Sequence, residues 1–306
     1  MSDDRAAEEP HSARVLDDTR NTWWNDDFLT LVAARTGLDQ CSRVLDVGCG
    51  QGHFTRKIAA LVRRPFEIVG VDREPRWVSI ATQRAGSFLA RAGLDGTLRF
   101  IEGTAEALPF ESGTFDAVTC QTVLMHLRDP AKALDEFARV LRPGGLVFAA
   151  EPNNYGALQR MAHRSPGKSL ADALAYIEVF ARVIEGKRAL GEGDNALGAK
   201  LPALFARFRD TKFFTTDRTF LMAPPYETDA EQLAIERLRD RVARGESGWS
   251  RRDVSRYWIA GGGDPTRVDE AYGRLLERER EELSAIDRGE HAELSAIVHF
   301  IASGRT

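Results

Sequence analysis

The stretch Val44-Leu45-Asp46-Val47-Gly48-Cys49-Gly50-Gln51-Gly52 constrains this chain more than any other. An apolar run that breaks into alternating glycines reads as a buried strand turning sharply into a helix. Glycines in such a turn let a ligand approach the backbone, because no Cβ stands in the way. A dinucleotide site spaces them as G-x-G-x-x-G and seats a pyrophosphate on the helix N-terminus. Here the third glycine arrives one place early, at Gly52, and residue 53 is histidine. Asp46 also lies inside the strand, where a carboxylate repels a phosphate pair and attracts the ammonium end of an amino acid. A second acid closes the next apolar run, Gly70-Val71-Asp72. At a strand end it can accept from both hydroxyls of a ribose.

Strand and helix patterns alternate from about residue 20 to residue 150, which predicts a parallel sheet with helices on its faces. The strands are Arg43 to Val47, Phe66 to Val71, Leu98 to Ile101, Phe115 to Cys120 and Leu146 to Ala150. Helices carry Phe54, Ile58 and Leu61, then Trp77, Ile80 and Ala81 from near Pro75, then Ala131 to Leu141. Arg142-Pro143-Gly144-Gly145 stops the last of these.

Beyond Glu151 the pattern turns helical, with stripes at Leu170, Leu174, Ile177, Ala181 and Ile184 and at Leu197, Leu201, Leu204, Phe205 and Phe208. Phe213 to Met222 reads as a strand, Ile235, Leu238 and Val242 as a helix face, and Ile297 to Ile301 as the last strand. Asp264-Pro265 opens a helix carrying Val268, Tyr272, Leu275 and Leu276.

The expected fold is α/β: a doubly wound, Rossmann-like, seven-stranded and mostly parallel sheet with helical cap insertions. Its parts are a mobile tail over 1–20, a nucleoside-binding core over 21–151 and a helical lid over 152–192. A return to the core follows over 193–225, then a helical insertion over 226–290 and the last core strand over 291–306.

Composition narrows the function. Lys plus Arg number 42 against 46 Asp plus Glu, a formal net charge of −4. That argues against a general nucleic-acid binder, which needs a basic surplus. Three cysteines, Cys41, Cys49 and Cys120, are too few and too scattered for a disulfide framework or a zinc site, and they suit a reducing cytoplasm. No apolar run approaches the roughly 20 residues that span a bilayer. The acidic start, with Asp3, Asp4, Glu8 and Glu9, does not read as a signal peptide.

The stretch from Arg43 to Pro152 resembles the class I S-adenosylmethionine-dependent methyltransferases, in particular the small-molecule branch typified by the ubiquinone and menaquinone enzymes. The matching pieces are the glycine turn, Gly70-Val71-Asp72, Glu106-Ala107-Leu108-Pro109-Phe110 with Phe115-Asp116, and Leu141-Arg142-Pro143-Gly144-Gly145. The resemblance implies that Asp46, Gly48, Cys49, Gly50 and Gly52 surround the methionine portion of S-adenosyl-L-methionine. It puts Asp72 on the ribose, Arg73 by the adenine, and Gln121 beneath the methionine. Such proteins commonly carry an acid after the glycine that ends strand three. This chain reads Gly103-Thr104-Ala105, which shifts adenine recognition toward backbone groups.

Candidates for the chemistry follow from position. His126 sits just past the fourth strand, where the methyl group should lie, and a neutral imidazole there can take a proton from an acceptor. The competing reading is a histidine that only packs. His53, after the glycine turn, faces cofactor or acceptor, or merely starts a helix. Glu151, followed by Asn153 and Asn154, ends the fifth strand, where it orients an acceptor or simply begins the next segment. Trp23 and Trp24 close over the sulfonium or pin a helix to the body. Cys49 is rejected as a nucleophile. The resulting expectation is O- or N-methylation of a small-molecule acceptor in secondary metabolism, with thiol methylation as a variant and without metal, nucleic-acid or membrane partners. The rivals are a nicotinamide-dependent oxidoreductase and a cofactor-binding protein without catalysis.

Overall fold

The computed structural model describes residues 20, 23–157, 169–216, 219–296 and 299–306. The expected tail over 1–20 lies outside them except for Arg20. Contacts group the chain into a sheet unit, drawn from 24–158, 191–218 and 296–306, and a helical unit, drawn from the first 23 residues, 159–190 and 219–295.

The sheet unit opens with helix α1 (Asp26–Thr36). It then alternates β1 (Arg43–Val47), α2 (His53–Leu61), β2 (Phe66–Asp72), α3 (Pro75–Ala92), β3 (Gly96–Glu102), β4 (Phe115–Gln121), α4 (Pro130–Val140) and β5 (Leu141–Pro152). Strands β1 to β5 pair in parallel in the order β3-β2-β1-β4-β5. From Val44 to Val47, β1 is buried at every position, which explains its unbroken apolar character apart from Asp46. One face packs on α4 through Ala133, Leu134, Phe137 and Val140, joined by Leu45, Val47, Val118 and Val147 from the strands. On the other face Phe54 of α2 stacks on Phe148 of β5 at 6.1 Å. Asp129 caps α4 by accepting from Ala131 N and Lys132 N.

Two more strands complete a seven-stranded sheet, as the pattern predicts, but their limits differ. β6 (Arg209–Thr215) lies at the edge and β9 (His299–Arg305) runs antiparallel between β5 and β6. The expected single strand from Phe213 to Met222 is two pieces belonging to two sheets. The second, β7 (Thr219–Met222), pairs with β8 (Glu293–Ala296) in a small separate sheet, where Met222 packs with Tyr226, Ile235, Leu238 and Ile286. The last strand runs beyond the expected Ile301 through Ser303 and Gly304, small positions buried in a strand paired on both sides. Ile297, the expected start of that strand, lies outside the described residues. The expected helix over Leu197 to Phe208 shortens to a 3₁₀ turn, Leu197–Lys200, and one helical turn, α6 (Leu201–Phe205). Its apolar residues Leu197, Leu201, Phe205 and Phe208 join the core all the same.

The helical unit contains α5 (Leu170–Ala189), α7 (Asp229–Arg244), α8 (Arg251–Ala260) and α9 (Val268–Asp287). Ser169 with Asp172, and Thr228 with Glu231, form reciprocal capping boxes that start α5 and α7. Val179 and Val183 of α5 share a core with Val254, Tyr257 and Trp258 of α8 and Tyr272 and Leu275 of α9. Gly186 lets α5 and α8 touch backbone to backbone: a Cβ there would lie 1.7 Å from the Tyr257 carbonyl oxygen.

Candidate functional site

The C-terminal ends of β1, β2 and β4 converge where an open parallel sheet binds its ligand. Past Val47 the amides of Gly48 and Cys49 both donate to the Val71 carbonyl, at 2.7 and 3.0 Å, which folds the glycine turn onto β2. Gly48 has φ +66°, and a Cβ on it would lie 2.3 Å from Val123 Cγ2, so glycine is required twice over. Gly50 and Gly52 also adopt positive φ. Asp72 ties the turn down: its Oδ2 accepts from Gly50 N at 2.8 Å and its Oδ1 from Glu74 N at 3.0 Å. Each oxygen keeps lone pairs for further donors. Arg73 beside it is exposed.

Asp46 lies behind this turn, fully buried. Thr55 Oγ1 of α2 donates to one oxygen at 2.5 Å and Thr119 Oγ1 of β4 to the other at 3.0 Å. Desolvation outweighs both hydroxyls and pushes the carboxyl up to about 7, with Asp72 adding to the rise. Burial drives the Cys49 thiol well above its ordinary value, helped by Asp46 and Asp72, so it is no thiolate nucleophile. Thr55 and Thr119 were missed by motif reading. Their signal is weak but present: Thr119 is a polar residue inside the apolar run Ala117 to Cys120, opposite Asp46 in register.

The loop after β3 is braced from below. Gly103 N donates to the Asp72 carbonyl at 3.0 Å, and Thr104 bridges to Ala107, leaving Thr104 exposed and Ala105 buried. Glu136 and Arg139 of α4 form a bidentate pair, both contacts at 2.7 Å. Arg139 holds the carboxyl of Glu136 below its usual range. Glu136 accepts from Leu108 N at 2.8 Å, while Arg139 donates to the Phe110 and Leu108 carbonyls. This brace too was invisible in the sequence, since i,i+3 charge pairs on helices are common.

At the end of β4, Gln121 is buried and accepts from Trp24 Nε1 at 3.2 Å. Trp24 stacks on Phe54 at 5.3 Å and on the His299 ring at 6.3 Å. Trp24 precedes α1 instead of riding on a helix. Its indole donates to Gln121 and packs between Phe54 and His299.

Glu151 departs from the acceptor-orienting role expected of it. It is fully buried and points under the turn after β4: its Oε1 accepts from Val123 N and Leu124 N at 2.9 Å and its Oε2 from Met125 N at 3.1 Å. It organises the 3₁₀ turn Leu124–His126 and does not itself face an acceptor. Asp194 N, donating to the Met125 carbonyl at 2.8 Å, clamps the same turn. His126 is carried by it, half-buried. His53 is buried at the start of α2 with Arg56 Nη2 3.2 Å from its Nδ1. Asn154 begins a 3₁₀ turn and donates its backbone N–H to the Asn195 carbonyl at 2.9 Å.

The structure therefore gathers Asp46, the three glycines, Asp72 and Gln121 at one sheet edge, with the Thr104–Ala105 loop beside them. Among the described residues no cluster of three or more metal-ligating side chains occurs, and no helix is long and apolar enough to cross a membrane.

Residues 45–149 match the family model described as a methyltransferase domain. Over 103 residues the chain is 40% identical to an uncharacterized methyltransferase, YcgJ, of Bacillus subtilis, covering 34% of this chain and 38% of that protein. Over 154 residues it is 33% identical to a ubiquinone biosynthesis O-methyltransferase of Xanthomonas campestris pv. campestris, covering 46% of this chain and 61% of that one. The chain thus spans less than two thirds of the length of either relative. The crystal structure of BH2331 from Bacillus halodurans shares the fold, with a TM-score of 0.50 at 19% identity over 91% of this chain and 98% of that one.

Proposed function

We propose that this chain, whose residues 45–149 match the model of a methyltransferase domain, is a class I, Rossmann-like enzyme that transfers a methyl group from S-adenosyl-L-methionine to a small-molecule oxygen or nitrogen. The observation that carries this reading is the glycine turn held between two acids, one buried behind it and one stitched to its front. A dinucleotide would bring two phosphate charges against the Asp46 carboxylate. An amino-acid tail brings an ammonium, which that carboxylate favours.

The residues present fit such a ligand. Gly48, Gly50 and Gly52 adopt positive φ and leave the turn's backbone free of side chains, and the buried amide nitrogen of Gln121 has no hydrogen-bond partner among the described residues. Asp72 has lone pairs left for the ribose hydroxyls, and the loop of Thr104 and Ala105, fixed by Glu136 and Arg139, would border the adenine. When bound, S-adenosylmethionine supplies a methyl group on a cationic sulfur that leaves as a neutral thioether. The protein's task is then to align the acceptor with that methyl and exclude water. His126, on the clamped turn beyond β4, would take the acceptor's proton on a ring nitrogen. A thiol acceptor would need this help least. The O-methyltransferase name of the Xanthomonas relative supports oxygen as the acceptor atom.

Calorimetry on the full chain with S-adenosylhomocysteine and with NADH tests the reading. Binding of the former is expected; binding of NADH alone overturns it in favour of a nicotinamide-dependent oxidoreductase.

A further inference from the structure

Gln121 carries an amide whose two ends are treated differently. The residue is 7% exposed and Trp24 is 5% exposed. Trp24 Nε1 donates to Gln121 Oε1, while Gln121 Nε2 finds no hydrogen-bond partner among the described residues. An indole N–H can only donate, so the amide must turn its oxygen toward Trp24 and its NH₂ away. The two stacked rings, Phe54 and His299, hold the indole in that orientation. A buried donor left unmet is unfavourable, and an acceptor on a bound ligand removes that cost.

Placement says which acceptor. Side chains two apart on a strand share a face, so Gln121 stands on the same face of β4 as Thr119. Thr119 bonds Asp46, its register partner on β1. Two residues past Gln121, Val123 presses on Gly48. A negative group and a spare donor thus lie on one face at the mouth of the glycine turn. A zwitterionic amino-acid tail has an ammonium and a carboxylate on one carbon and needs such a pair side by side.

We propose that Gln121 Nε2 is the donor to the carboxylate of the cofactor's amino-acid tail, and that Trp24 is a positioning residue that fixes the amide in the donating orientation. This rests on the S-adenosyl reading above. Binding of S-adenosylhomocysteine is compared with that of 5′-methylthioadenosine, which keeps the nucleoside and thioether but lacks the tail. Gln121→Leu should weaken S-adenosylhomocysteine about tenfold and leave methylthioadenosine within twofold. Trp24→Phe keeps the stack and removes the indole N–H; it should weaken S-adenosylhomocysteine about threefold, again with methylthioadenosine unchanged. In the double variant the Trp24→Phe effect should vanish, because the amide it positions is gone. Gln121→Glu, which keeps an acceptor for Trp24 but no donor, should behave like Gln121→Leu or worse.

Equal losses for both ligands, no loss for either, or additive losses in the double variant overturn the proposal. If the unmutated protein binds neither ligand, the S-adenosyl reading itself fails. If it binds both and only these variants behave otherwise, that reading stands and this one falls.

Discussion

Replacing Asp46 by asparagine keeps the shape of the side chain and removes its charge, which isolates what a buried carboxylate does for the ligand. Burial holds this carboxyl near 7, so in the free protein its ionised fraction rises from about 0.09 at pH 6 to about 0.76 at pH 7.5. An ammonium placed near it lowers the pKa by about 1–3 units, so the bound protein is at least half ionised at pH 6 and almost fully ionised at pH 7.5. Affinity for S-adenosylhomocysteine should then rise about four- to eightfold from pH 6 to pH 7.5 as Asp46 ionises in the free protein. Binding at pH 7 should release about half a proton, readable by calorimetry in buffers of different ionisation enthalpy. Asp46→Asn shares every other titrating group, so the difference between the two profiles belongs to Asp46. The same residue sets a stability slope. Its folded pKa lies above its unfolded value, so the ligand-free protein holds an extra proton between about pH 4 and 7. Stability should therefore fall as pH rises through that window, and Asp46→Asn should flatten the fall. Equal pH profiles of affinity for the two proteins would refute the ammonium–carboxylate argument.

Four further outcomes are expected. Asp72→Ala should weaken S-adenosylhomocysteine by roughly 10- to 100-fold, through lost ribose contacts and the freed Gly50 amide, and unchanged affinity would remove the ribose assignment. His126→Ala should lower turnover about a hundredfold in an acceptor assay that detects methylation, with cofactor affinity within twofold; preserved turnover would make the residue structural. Glu151→Ala leaves three backbone amides without their carboxylate and should cost roughly 3–5 kcal/mol in urea unfolding, while a loss under about 1 kcal/mol would contradict the clamp described for the 3₁₀ turn. Gly48→Ala must hold alanine at φ +66° against Val123 and should cost about 2–4 kcal/mol by the same measurement, with a neutral result showing that the turn yields.

The Rossmann-like half was readable because its signals are local. Buried parallel strands are apolar throughout, and the glycine turn and the Pro-Gly-Gly stop are punctuation that few other structures use. The chain beyond Glu151 was harder. β9 buries Ser303 and Gly304 because of its two partners, and no periodicity in its own residues announces that. Phe213 and Met222 looked like one strand because an apolar run does not say which sheet each residue joins: Phe213 lies exposed on an edge strand and Met222 is buried in the smaller sheet's core. At the site, the acids and glycines stood out as a motif. The partners that decide what they do, Thr55, Thr119 and Trp24, belong to no motif and emerge only once the elements that carry them are packed together. Glu151 shows the reverse error: a polar residue at a strand end invites a catalytic reading, yet its carboxylate serves backbone amides.

The place of β9 has a consequence for how the protein is made. Residues 299–305 lie between β5 and β6 in the large sheet, so Phe148 and Phe213 remain without their neighbouring strand until residue 305 has left the ribosome. During vectorial synthesis the nascent sheet exposes an unpaired β5 edge for the time needed to translate about half the chain, at about 5–20 residues per second. Such an edge is a template for wrong pairing until β9 arrives to cover it.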